Sequence, residues 1–156
     1  MAAVTSKEVW GPPLWRLLHS LAERLGRQTI PLLATDERRA WASLLKAVGQ
    51  VMPCLACRNH FREWSGRKAP ERYAGRDLAR EWLWSLHNEV NKERGAIGPA
   101  LDQLPDLYGR RTSQELNDDY KKLLESFQTA VQQRMVPPEA FMTFKMRLVA
   151  LRQIVG

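Results

Sequence analysis

Apolar residues along this chain recur at the three- and four-residue spacing of helices, not the alternation of strands. In "GPPLWRLLHSLAERLG", Leu14, Leu17, Leu18, Leu21 and Leu25 form one stripe. Gly11-Pro12-Pro13 gives a start signal and Gly26 a stop, predicting a first helix between them. "TDERRAWASLLKAVGQVM" predicts a second, with Thr35 or Asp36 as N-cap and Trp41, Leu44, Leu45 and Val48 on its buried side. Pro53 resets the chain, and "CLACRNHFREWSG" reads as a short third helix ending at Gly66. "GRDLAREWLWSLHNEVNKERG" predicts a fourth, closed by Gly95.

The stretch "AIGPALDQLPDLYGRR" is irregular. Two more helices follow. Thr112 and Glu115 have capping-box spacing ahead of Leu116, Tyr120, Leu123, Leu124, Phe127 and Val131. Pro137-Pro138 opens the last helix, with Phe141, Phe144, Leu148 and Leu151 on one face. There is no strand pattern and no internal repeat, so the predicted class is all-α.

Composition changes this picture little. A length of 156 residues suits one globular domain with room for an appendage, and 44% hydrophobic content suffices for a core. No apolar run approaches the roughly 18 residues that a membrane-spanning helix needs. The start "MAAVTSKEVWGPP" has neither a secretory pattern nor an Arg/Ser-rich transit pattern, so cytosolic synthesis is the default expectation. The formal charge of +7 favours anionic partners, but the cations are scattered and also read as a solvated basic face.

Candidate chemistry centres on "VMPCLACRNHF". It holds the chain's two cysteines, Cys54 and Cys57, with His60 three positions further on. Cys54 falls at or near a helix N-terminus, where unpaired N–H groups and the dipole favour a thiolate. That arrangement suits dithiol–disulfide exchange. The same residues with a distant His would make a four-ligand zinc set, and two buried apolar thiols are the plainest reading. Spacing alone does not separate these.

The other histidines add to this. Trp15 and His19 are four apart and share one helix face. "HNEVN" places His87 and Asn91 one turn apart, with Asn88 beside them. Asparagine is unusual within a helix, because its side chain competes for backbone hydrogen bonds. A flat heteroaromatic ligand in a bundle core would account for Trp, His and Asn together, as stacking surfaces with edge donors and acceptors.

"WGPPLWRLLH", "MPCLACRNHF" and "WLWSLHNEVN", in that order, resemble the Erv/ALR family of FAD-linked sulfhydryl oxidases. The likeness runs from Trp10 to Tyr108 and uses every Cys and His in the chain. It implies a four-helix bundle with a short fifth helix cradling FAD over residues 1–110, followed by a two-helix extension over 111–156. By this resemblance Cys57 would lie against the flavin, and Cys54 would exchange with a substrate thiol. Trp15, His19, His60, His87, Asn88 and Asn91 would line the FAD site, and Gly11 would allow close backbone approach. The reduced flavin would pass its electrons to O2, giving hydrogen peroxide. Homodimers through the outer faces of the first two helices would be expected.

The likeness has gaps. A cysteine pair common in the family is replaced by Trp84 and Leu101, so an apolar contact would have to take the staple's place. The usual Leu-Gly-Lys reads Arg94-Gly95-Ala96, which leaves the cation at the FAD phosphates to a nearby Arg or Lys. Tyr108 stands where Trp is usual and could stack on the adenine end. No second, mobile Cys-x-x-Cys is present, so either client thiols attack Cys54 directly or a separate thioredoxin-like dithiol protein shuttles electrons. Such an architecture is similar to short members encoded by large cytoplasmic DNA viruses, which act in the host cytoplasm or virion. The alternative reading is a zinc-stabilised basic nucleic-acid-binding module using Cys54, Cys57 and His60, which leaves "HNEVN" unexplained. The final two helices are expected to pack on the chain's own core, with a dimer interface or client docking as alternatives.

Overall fold

The computed structural model describes residues 3–156, and no strand occurs among them. The helices are α1 (Lys7–Arg24), α2 (Pro31–Val51), α3 (Leu55–Arg67), α4 (Arg76–Glu93), α5 (Leu104–Tyr108), α6 (Ser113–Gln132) and α7 (Pro138–Val155). Short 3-10 turns at Pro70–Tyr73 and Leu101–Gln103 lead into α4 and α5. The all-α class, the first four helices, the short fifth and the two-helix extension follow the sequence reading.

Two helix starts differ from it. Helix α1 begins at Lys7, not Gly11, and carries Pro12 and Pro13 inside it. Each proline lacks the N–H that would bond four residues back. Ser6 offsets part of that cost by capping the Glu8 N–H. Trp10, buried in the extra turn, donates its indole N–H to the Thr5 carbonyl at 3.0 Å. Helix α2 begins at Pro31, with proline in the first turn and Thr35 inside the helix. The Thr35 hydroxyl donates to the Pro31 carbonyl and caps nothing.

One apolar cluster runs through the molecule, and it includes the predicted stripes of α1, α2, α6 and α7. Helices α1 and α4 lie antiparallel: Glu23 pairs with Arg80 at one end, and His19 meets His87 further along. Helix α3 folds back on α2, where Gly49 admits the Phe61 ring; an added Cβ would stand 3.2 Å from it. Phe61 and Trp64 meet Trp82 of α4 edge-on, and Trp82 donates to the Lys68 carbonyl at 2.8 Å. Those contacts fix the helix that begins at the cysteines.

Helices α6 and α7 make few contacts with each other. Helix α6 packs along α1, with Trp10 against Phe127, and α7 packs along α2. Asp119, 2% exposed, accepts from Arg16 of α1 at 2.9 Å and from Arg111 at 2.6 Å. Gln28, in the α1–α2 connection, donates to the Ile154 carbonyl near the end of α7 at 3.0 Å. The extension therefore packs on the chain's own core, as expected, by wrapping two different helices of the bundle.

Candidate functional site

Pro53 and the extended backbone of Cys54 make Cys54 the N-cap of α3. Its Sγ accepts the Cys57 backbone N–H at 3.2 Å, and its carbonyl takes the Arg58 N–H at 2.9 Å. Cys54 and Cys57 are joined as a disulfide, with Cα atoms 5.2 Å apart. Both are half-buried, while Leu55 between them is 63% exposed, so this turn lies at the protein surface. Among the described residues no cluster of three or more His, Cys, Asp or Glu could hold a metal, so the zinc set is not assembled.

The second part of the site forms between α1, α4 and α5. Trp15 and His87 stack with centroids 4.0 Å apart and planes 4° apart. His19 stacks on Tyr108 at 4.8 Å and 15°, and its Nε2 is 3.2 Å from His87 Nδ1. One of these nitrogens must donate and the other accept, which suits two neutral imidazoles. Burial holds His19 down to about 3, helped by repulsion from a charged His87. Burial likewise takes His87 down to about 4, with Arg94 adding repulsion. Burial also raises Tyr108, keeping its phenol protonated.

Gly11 lies one turn before Trp15, and an added Cβ there would meet nothing within 4 Å. Space is therefore open around this position of α1, one turn from Trp15. Near-parallel rings, uncharged imidazole edges and this open space together fit a flat heteroaromatic group. Asn91 is buried, and Asn88 is half-buried on the same helix. A Cβ on Gly98 would stand 2.8 Å from Asn91 Nδ2 and 3.5 Å from Asn88 Oδ1, so residue 98 presses its bare backbone on both amides.

The structure thus brings together Trp15, His19, His87 and Tyr108, and separately joins Asn88 and Asn91 to the segment after α4. His60 is half-buried on α3, one turn past Cys57. Among the described residues, no hydrogen bond or ring contact ties it to the stack.

A family model for Erv1 / Alr matches residues 12–103, more than half of the chain. The chain belongs to the Erv1/Alr family. It is similar to "FAD-linked sulfhydryl oxidase ERV1" of Arabidopsis thaliana, 23% identical over 114 residues, 73% of this chain and 57% of that protein. The rice protein of the same name, from Oryza sativa subsp. japonica, is 29% identical over 94 residues, 60% of this chain and 46% of the relative. The chain thus spans about half the length of these relatives. No solved structure matches.

The Erv1/Alr match includes both cysteines, all three histidines, Asn88 and Asn91, and stops short of Gly11 and Tyr108 on either side. Helices α6 and α7 also lie outside it. Three residues act on the site in ways that the sequence reading did not indicate. Trp84, half-buried, donates its indole N–H to the Pro99 carbonyl at 2.9 Å, where an apolar contact was expected. Arg94 is close enough to act on His87. Asp119 holds Arg16, the neighbour of Trp15. For Asp119 a signal existed: a carboxylate three residues after Leu116, within an otherwise apolar stripe.

Proposed function

We propose that this Erv1/Alr protein is an FAD-linked thiol oxidase that forms disulfides in protein substrates. The observation that carries the reading is a disulfide at the first turn of α3, in a chain whose α1 and α4 bring Trp15, His19 and His87 together. The family match and the relatives' printed names support the same reading.

The cycle begins when a substrate thiolate attacks Cys54 Sγ. A bond forms between those sulfurs, the Cys54–Cys57 bond breaks, and Cys57 leaves as a thiolate. The substrate's second thiolate then attacks the substrate sulfur of the mixed disulfide and expels Cys54 as a thiolate. The substrate is oxidised by two electrons, and the Cys54–Cys57 pair is reduced by two. The helix N-terminus and the Cys57 N–H stabilise negative charge on Cys54 Sγ. That stabilisation makes Cys54 the leaving thiolate of the second step, and the family resemblance makes it the sulfur that a substrate meets first.

Trp15, His19, His87 and Tyr108 would hold the flavin cofactor through ring faces and imidazole edges. Gly11, His60, Asn88 and Asn91 would complete its binding surface. FAD, when bound, supplies the two-electron acceptor that restores the disulfide, and O2 is the proposed terminal acceptor, leaving as hydrogen peroxide.

The substrate class is a protein dithiol, met directly or through a separate dithiol shuttle protein. No described helix is long and apolar enough to cross a membrane. Action in the cytoplasm, or in a virion assembled there, is the corresponding proposal. The pairing expected of the family uses the outer faces of its first two helices; here α6 and α7 lie along those helices, so a homodimer would need another surface.

The test is the absorption spectrum of purified protein, refolded with FAD, followed by oxygen consumption with a dithiol. Flavin absorption and peroxide production are expected. A colourless protein after reconstitution would sink the reading.

A further inference from the structure

Trp84, Asn88 and Asn91 stand at helical spacing and form one stripe on α4. The chain leaves α4 through Gly95, whose φ of 66° turns it back. It then retraces that stripe in the opposite direction. The Ala96 N–H donates to the Asn91 carbonyl at 2.8 Å, and Gly98 lies against the Asn91 and Asn88 amides. The Pro99 carbonyl accepts from Trp84 Nε1 at 2.9 Å. Beyond it, the Ala100 N–H donates to Gln103 Oε1 at 2.8 Å, and α5 brings Tyr108 onto His19.

We propose that Trp84 is a positioning residue for the cofactor: its indole N–H latches residues 96–100 along α4, fixing Asn88 and Asn91 on one side and Tyr108 on the other. Little else anchors the middle of this segment. Ile97 is 99% exposed and contributes no burial. The fit at residue 98 is close: a Cβ would stand 2.8 Å from Asn91 Nδ2, so any side chain there would displace that amide. Without the Trp84 hydrogen bond the segment is held only at its ends, by Asn91 before it and Gln103 after it, and the asparagine amides lose the wall between. The consequence for FAD rests on the thiol-oxidase reading; the latch itself does not.

Trp84→Phe keeps an aromatic ring and removes the donor. Two readouts are made on the full chain: FAD affinity by titration of the flavin-free protein, and amide hydrogen exchange at Ala96, Ile97, Gly98 and Ala100. The expected result is faster exchange at those amides with FAD binding weakened about tenfold, the scale of one lost buried hydrogen bond. Gly98→Ala should do the same from the other side of the contact. A core variant away from the segment, Val48→Ala, matched for loss of thermal stability, should leave FAD affinity unchanged and so exclude general destabilisation. Wild-type FAD affinity in both Trp84→Phe and Gly98→Ala would overturn the latch while leaving the oxidase reading intact. A wild-type protein that takes up no FAD would overturn the oxidase reading and the cofactor role of Trp84 together.

Discussion

Two imidazoles that refuse protons set how this protein responds to acid. Below pH 6.5 the unfolded chain protonates His19 and His87, whereas the folded chain holds them neutral down to about 3 and about 4. The folded state binds fewer protons there, so stability falls as pH drops from 6.5 toward 4. The slope is at most about 1.4 kcal/mol per pH unit for each histidine, with the larger share from the more buried His19. Melting temperatures at pH 7 and pH 5 should show the loss, and His87→Ala should flatten it while weakening FAD retention. A variant with the wild-type slope would refute this assignment. Cys54→Ser and Cys57→Ser should each abolish dithiol turnover without loss of helicity; wild-type rates in both would place the redox centre elsewhere. At this scale the sequence was informative about the motif residues, because Cys, His and Asn are rare within helices and stood at telling intervals. It marked Trp84 only as the replacement for a family cysteine, and not as a donor, because that role depends on where the chain returns after Gly95.

Helix ends show both the strength and the limit of sequence signals. The Thr112–Glu115 capping box appears as predicted, with the Thr112 hydroxyl taking the Glu115 N–H at 3.2 Å. Thr112→Ala should cost about 1 kcal/mol in denaturant unfolding. Pro12-Pro13 misled as a start signal because tertiary burial of Trp10 extends α1 past them. The bond between α6 and α1 is stronger than any cap. Asp119→Ala would leave the partly exposed Arg16 without its counter-charge and the largely buried Arg111 with only Glu115 at 3.7 Å, with an expected loss of about 2 kcal/mol. A measured change under 1 kcal/mol would show that the network is solvent-relieved. Which helix α6 would embrace was not legible: its stripe says that a face must be covered, and only the fold says by what.

Across the whole molecule, the segment outside the family match is as much a part of the core as the segment inside it. Phe127, Phe144, Leu148 and Leu151 are all at most 1% exposed, each burial worth about 1.5–3 kcal/mol. A fragment ending at residue 110 would uncover the surfaces of α1 and α2 that they fill. Such a fragment is expected to bind the dye ANS and to melt without cooperativity, whereas the full chain should melt in one step. A fragment as stable as the full chain would show the two helices to be an ornament. The all-α class and the order of helices were legible because periodicity and Gly/Pro punctuation are local. The wrapping of two separate helices by one tail was not, since it depends on contacts about a hundred residues apart, such as Arg16 with Asp119.

That wrapping has a consequence for how the protein behaves when scarce. Cover borrowed from a second molecule is lost on dilution, as mass action requires. Cover tethered through the short turn at Thr112 is present at a fixed local concentration, however few copies exist. The hydrophobic flanks of α1 and α2 should therefore stay protected at nanomolar levels, where an assembly of separate subunits would come apart.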